Sequence, residues 1–163
     1  MVPQQKAIFL DRDGVLNYDP GTYTIKYNDI TILPGVIEFL QWATRENFLL
    51  IIITNQACVA KGLCTESDIE RLMEQLIARF RQENIKITDY FYSPHHQDFG
   101  NSLLRKPGSL MIEKALAKYG ITKKLAYFIG DMPSDMLAAE AAGIRGIPVE
   151  KNAGLAQFIG TLQ

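Results

Sequence analysis

Apolar runs of strand length alternate along this chain with stretches in which apolar positions recur every three or four residues. That alternation is the pattern of βα units around a parallel sheet covered on both faces. It places strands at Ala7–Leu10, Phe48–Thr54, Asp89–Ser93, Ala126–Gly130 and Gly146–Val149, and helices at Gly35–Glu46, Glu66–Gln82, Ser109–Tyr119 and Ser134–Ala142, with a short helix near the C-terminus. The second helix is drawn most sharply. Ile69, Leu72, Met73, Leu76, Ile77 and Phe80 make one apolar stripe, Thr65 stands at the N-cap position and Asp68 follows three residues on. Gly120 and Gly143 read as helix stops. The predicted fold class is α/β: a three-layer, Rossmann-like parallel sheet with helices on both faces.

Two irregular stretches, Asn17–Leu33 and His95–Pro107, follow strands and so belong near the carboxyl edge of the sheet. That edge is where open α/β sheets bind ligands. Loops longer than about 12 residues in a compact domain are usually functional or mobile.

With 163 residues and no linker or repeat, the expectation is a single domain over 1–163. Seventeen Lys and Arg against eighteen Asp and Glu leave a net charge of -1, too little basic excess to draw in nucleic acid or an anionic membrane by bulk electrostatics. Any phosphate chemistry must be local. Two cysteines, Cys58 and Cys64, are too few for a disulfide framework or a four-cysteine zinc site, and a reduced thiol pair is expected. The apolar run Phe48–Ile53 is far short of the roughly 20 residues that span a bilayer. The N-terminal stretch before Asp11 lacks the apolar core of a signal peptide, so a cytoplasmic location is expected.

Four groups of polar residues fall where strands should leave the sheet: Asp11-Arg12-Asp13-Gly14, Thr54-Asn55-Gln56, Arg105-Lys106-Pro107 and Gly130-Asp131-Met132-Pro133-Ser134-Asp135. Singly, each has an ordinary explanation, since Asp ends strands and caps helices and a loop lysine is solvated. Jointly they would converge on one crevice. Three carboxylates meeting there repel one another without a cation, and an all-oxygen donor set suits Mg²⁺. Lys106 and the Thr54 hydroxyl add a positive charge and a donor for phosphate oxygens, the ingredients of phosphoryl transfer.

In their order and wording, DRDGVLN, ITNQ, RKP and GDMPSD resemble the four motifs of the haloacid dehalogenase (HAD) superfamily of phosphatases, over residues 6–150. Within it, TNQACVAKGLCT and YDPGTYTIKYNDITILPGV are similar to the branch that holds heptose-bisphosphate and histidinol-phosphate phosphatases. The resemblance implies that Asp11 is the nucleophile forming an aspartyl-phosphate, and that Asp13 is general acid and then base. It implies that Asp11, the Asp13 backbone carbonyl and Asp131 hold Mg²⁺ with Asp135 in support, and that Thr54, Asn55 and Lys106 bind the transferring phosphoryl group. Gly14 lets the chain turn so that loop amides face phosphate.

The chain departs from that branch in its zinc loop, where Ser93-Pro94-His95-His96 and Ser102-Leu103-Leu104 replace the cysteine-bearing positions, so no structural zinc is expected. His95 and His96 are then loop-surface or substrate-contact residues. Lys61 stands where the heptose enzymes have Arg, and Met132 where they commonly have Lys, which alters how a distal anion is held. Lys61 and Arg105 are the candidate substrate-binding cations, and Tyr18, Tyr23 and Tyr27 are candidates to line the site. The intervals between motifs are filled by helices, which leaves no room for a large cap domain. The expected activity is Mg²⁺-dependent phosphomonoester hydrolysis on a small sugar phosphate such as heptose 1,7-bisphosphate, by a monomer, with histidinol phosphate or a broad range of sugar phosphates as alternatives. A receiver-like signalling domain gathers similar residues, but it needs a phosphorylatable Asp after a middle strand, where this chain has Asn55.

Overall fold

The computed structural model describes residues 4–163; the first three residues, part of the N-terminal stretch read above for a leader, lie outside the described residues. Strands β1 (Gln5–Leu10), β2 (Leu49–Asn55), β3 (Ile87–Ser93), β4 (Ile121–Gly130) and β5 (Arg145–Pro148) form a sheet in the order β3-β2-β1-β4-β5, with every neighbouring pair parallel. Helices α1 (Val36–Arg45), α2 (Glu66–Gln82), α3 (Leu110–Tyr119) and α4 (Pro133–Ala142) supply the outer layers.

The period-two pleat of the central strands explains both faces. Ile8 and Leu10 of β1, Leu50 and Ile52 of β2 and Ile129 of β4 share one core with the apolar stripes of α1 and α2. The alternate residues Ala7, Phe9, Ile51, Ile53, Ala126 and Phe128 share the other with α3 and α4. Register brings Phe9 beside Ile51 on one side and Phe128 on the other. Phe9 and Phe128 are fully buried, so truncating either to Ala should cost about 3–5 kcal/mol.

Helix ends follow the local chemistry. Thr65 Oγ1 accepts the Asp68 amide at 3.1 Å while the Thr65 amide donates to Asp68 Oδ2 at 2.9 Å, closing a capping box on α2. Gly120 and Gly143 end α3 and α4 in the left-handed conformation. The short C-terminal helix is a 3₁₀ turn, Ala156–Phe158. β4 begins five residues before the expected start at Ala126, because Ile121 pairs with Gln5 across a register shift while Lys123 and Lys124 stay exposed. The expected reduced thiol pair is also corrected. The loop after β2 doubles back, bringing the Cα atoms of Cys58 and Cys64 to 5.7 Å, and the two are joined as a disulfide. Among the described residues no helix is long and apolar enough to cross a membrane.

This topology sets the site. β1 is the middle strand, flanked by β2 and β4, so the residues just beyond its carboxyl end lie between those that end β2 and follow β4.

Candidate active site

Asp11 leaves β1, Thr54 and Asn55 end β2, Asp131 leaves β4, Asp135 sits in the first turn of α4, and Lys106 enters from the loop before α3. All six line one recess of about 220 Å³, together with Asp13, Asp19, Arg105, Met132 and Ser134. Single carboxylate oxygens of Asp11, Asp131 and Asp135 lie within 4.8 Å of one another.

Lys106 is buried, and its ammonium meets three acceptors: the Ile53 carbonyl at 3.0 Å, Asp11 Oδ1 at 3.0 Å and Asp135 Oδ1 at 2.6 Å. Burial alone would lower its pKa, but the charges of Asp11 and Asp135 outweigh that and hold it above the ordinary lysine value. One ammonium does not balance three carboxylates. Burial, with Asp135 and Asp13 adding to it, pushes the Asp11 carboxyl up to about 8 against the pull of Lys106. Burial and Asp135 likewise raise Asp131. Asp131 Oδ1 is buried with no hydrogen-bond partner. A buried, unpartnered carboxylate oxygen beside two more carboxylates fits a divalent cation with oxygen ligands.

Two glycines keep the cradle open. A Cβ on Gly14, whose φ is +82°, would stand 2.5 Å from Asp131 Oδ2, and one on Gly130 would overlap the Asp135 carboxylate. Asp135 also caps α4 by accepting the Met132 amide at Oδ2, 3.0 Å away, so one buried side chain both ends a helix and faces Lys106.

Asn55 is bound to the Lys106 main chain on both sides, its Nδ2 donating to the carbonyl at 3.1 Å and its Oδ1 accepting the amide at 3.0 Å. It therefore braces the lysine's loop while lining the recess. Arg105 donates from Nη1 to the His95 carbonyl at 2.9 Å, and it lines both the acidic recess and a contiguous polar recess of about 360 Å³ with Gln97, Asn101 and Ser102. Lys61 is not brought into the acidic recess; it is exposed, with its ammonium 5.3 Å from the centre of the Tyr23 ring. Tyr23 and Tyr27 line a larger cleft of about 620 Å³ against α2, which holds none of the motif carboxylates. Tyr18 is half exposed and lines neither recess. His96 Nδ1 accepts the Asp98 amide at 3.2 Å, and neither histidine belongs to a group of metal-capable side chains among the described residues.

Sequence reasoning gave no role to Arg12, Asn17 or Gln56, which surround Asp13. The Arg12 guanidinium, fully buried, donates to both Asp13 oxygens at 2.8 Å, and Asn17 Nδ2 and Gln56 Nε2 add bonds at 3.0 and 3.1 Å. The signal was present, since Arg12 and Gln56 sit inside the quoted motifs. Nothing local announced a second brace: Lys151 pairs with Asp19 at 2.8 Å, and Asn152 bonds both the amide and the carbonyl of Asp19. It ties the loop after β1 to the one after β5.

A middle strand ending in Asp-x-Asp, a buried lysine bridging two carboxylates and a third acidic residue after the next strand define a phosphohydrolase of the HAD class. The model for the family described as HAD-hydrolase-like matches residues 103–157. The D-glycero-alpha-D-manno-heptose-1,7-bisphosphate 7-phosphatase of Campylobacter jejuni is 37% identical over 139 residues, 85% of this chain and 78% of the relative. The D-glycero-beta-D-manno-heptose-1,7-bisphosphate 7-phosphatase of Escherichia coli is 32% identical over 150 residues, 88% of this chain and 78% of the relative. Among solved structures, D,D-heptose 1,7-bisphosphate phosphatase from B. bronchiseptica, complexed with magnesium and phosphate, superposes with a TM-score of 0.84 at 26% identity, covering 98% of this chain and 89% of that one. This chain belongs to the heptose-bisphosphate phosphatase branch of the HAD superfamily.

Proposed function

We propose that residues 1–163 form one HAD-like unit that hydrolyses a small sugar phosphate, D-glycero-D-manno-heptose 1,7-bisphosphate, through an aspartyl-phosphate on Asp11. One observation carries this: Lys106 bridges Asp11 and Asp135 while Asp131 Oδ1, in the same 4.8 Å group, is left unpartnered. The relatives' substrate is the second support.

The Asp11 carboxylate attacks phosphorus, an Asp11 O–P bond forms, and the bond from phosphorus to the sugar oxygen breaks. Asp13 gives its proton to that departing oxygen. Asp13, now a carboxylate, takes a proton from the water that attacks phosphorus next; the Asp11 O–P bond breaks, and phosphate leaves with Asp11 restored. Thr54 donates its hydroxyl to a phosphoryl oxygen. Lys106 already has three acceptors, so it acts on the phosphoryl group as a fixed positive charge beside Asp11, and Asn55 serves by holding the Lys106 loop. Asp11, Asp131 and the Asp13 carbonyl, with Asp135 behind them, would hold Mg²⁺, which when bound would supply the positive charge that lets a phosphate dianion approach a carboxylate. Arg105 lines both contiguous recesses, which supports a role in taking a second anionic or hydroxyl group of the substrate. Lys61 lies outside the acidic recess and reaches only a substrate that extends to Tyr23.

We assign the protein to the cytoplasm, where a charged sugar phosphate is retained, and expect it to act as a monomer without nucleic acid or membrane partners.

Phosphate release with Mg²⁺ from a panel of phosphomonoesters tests this. Heptose 1,7-bisphosphate should be preferred over histidinol phosphate and over simple sugar monophosphates, and Asp11→Asn should fall to the uncatalysed background. A wild-type protein that releases phosphate from no member of the panel would overturn it. Preference for histidinol phosphate would keep the chemistry and replace the substrate.

A further inference from the structure

Gln56 is 2% exposed, and both hydrogens of its amide nitrogen are spent on functional side chains: Nε2 donates to Thr54 Oγ1 at 2.8 Å and to Asp13 Oδ2 at 3.1 Å. The orientation of the amide is set by its neighbours. Turned over, it would aim its oxygen at the Asp13 carboxylate and its hydrogens at Arg12; as it stands, Oε1 faces the Arg12 guanidinium, with Nη2 3.4 Å away. Thr54 Oγ1 therefore acts as acceptor toward Gln56. Its own hydrogen is left for another partner, and the recess is the open space that Thr54 lines.

We propose that Gln56 is a positioning residue which, with Arg12, holds the Asp13 carboxylate and turns the Thr54 hydroxyl toward the phosphoryl group, joining the acid–base step to phosphoryl binding through one amide. The inference rests on the assignment of Asp13 as general acid. Asp13 sits on a loop, not on the rigid strand, and a loop carboxyl group, in its acid form, delivers a proton to the departing oxygen only if its rotamer is fixed. Arg12 supplies most of the fixing, with Nε and Nη2 bonds of 2.8–3.1 Å to Asp13 and a further Nη2 bond to the Thr24 carbonyl at 3.0 Å. Gln56 alone among these partners also touches a proposed phosphate ligand. Asn17 completes the cage from the β1 loop at 3.0 Å.

The test separates bond breaking that needs a proton from bond breaking that does not. A sugar monophosphate has a strongly basic departing oxygen and requires the general acid, whereas p-nitrophenyl phosphate has a weakly basic one and does not. With Mg²⁺ present, Gln56→Met should lower kcat on the sugar ester by about 10²-fold and on p-nitrophenyl phosphate by less than about tenfold. Asp13→Asn should show the same selectivity, larger in size, and Thr54→Ala should slow both esters alike. Gln56→Glu, equal in volume, replaces the donor by an acceptor and should be selective in the same sense; it carries the comparison if Gln56→Met unfolds. Equal losses on the two esters for the Gln56 variants, with Asp13→Asn selective, would overturn the role of Gln56 and leave that of Asp13 intact. An Asp13→Asn protein without selectivity would overturn the assignment of Asp13 and the inference with it.

Discussion

Asp11 and Asp13 are two residues apart and sit in opposite electrostatic surroundings. Around Asp11, three carboxylates face one ammonium, and Asp131 keeps a buried oxygen without a partner. Around Asp13, one carboxylate takes bonds from a buried guanidinium and two side-chain amides. The under-compensated cluster suits a cation and, on the proposed mechanism, an incoming phosphoryl group, because added positive charge relieves it. The ion-paired cluster fixes a direction, although Arg12 Nη1 and Asn17 Oδ1 are themselves buried without a partner. Its one carboxylate already has a charged partner, and on the proposed mechanism it holds the Asp13 side chain for proton transfer.

The largest effect should come from removing the one cation shared by the acidic cluster. Lys106→Met should lower kcat/KM by about 10²–10³-fold and, without Mg²⁺, destabilise the protein by roughly 3–5 kcal/mol in denaturant titrations, since Asp11 and Asp135 lose their counter-charge. The same variant should bind Mg²⁺ more tightly than wild type in a calorimetric titration, because the site becomes more negative. Weaker binding would mean that Lys106 helps to build the cation site. Arg12→Met should separate the two clusters: a stability loss of about 3 kcal/mol from an Asp13 left without its charged partner, with Mg²⁺ affinity nearly unchanged. A large fall in Mg²⁺ affinity would erase the distinction between them.

Proton linkage gives a smaller signature with a definite sign. The folded-state pKa of Asp11, about 8, lies above its unfolded value, so the folded protein binds the proton more tightly. The stability contributed by that group is complete below the unfolded pKa and is lost as pH rises toward about 8, by up to roughly 1.4 kcal/mol per pH unit. Mg²⁺ competes with that proton. The rise in Tm on adding saturating Mg²⁺ should therefore be greater at pH 8 than at pH 6, and an equal rise at both would place the cation away from Asp11. The smallest effect belongs to the outer brace, where Asn152→Ala should cost about 1 kcal/mol by removing its bonds to Asp19, and should leave the selectivity between leaving groups as in wild type.

The apolar periodicity was enough to place all five strands and four helices, because burial on two faces of a parallel sheet leaves the same mark on each βα unit. It missed the early start of β4, whose first half is held by one residue pair and carries exposed lysines, so no apolar run announces it. The motif residues at strand ends were legible as a set, and the structure gathers Asp11, Asp13, Thr54, Asn55, Lys106, Asp131 and Asp135 around one recess. Lys61 is different. A loop residue's reach depends on how its turn folds, and this turn, closed by Cys58 and Cys64, puts the lysine against Tyr23. The Asp13 cage and the Asp19 brace depend on side-chain directions and on contacts more than a hundred residues apart in the chain, as between Asp19 and Asn152. Neither leaves a periodic trace.

The most direct test asks which carboxylate carries phosphate during turnover. Enzyme quenched with acid while hydrolysing its sugar phosphate, treated with borohydride to reduce any acyl-phosphate to the alcohol, and mapped by peptide mass spectrometry should show homoserine at position 11. With p-nitrophenyl phosphate, whose departing oxygen needs no general acid, the species should be enriched in Asp13→Asn, which lacks the base for the second step. Reduction at Asp13, Asp131 or Asp135 instead would contradict the assignment of Asp11 as nucleophile.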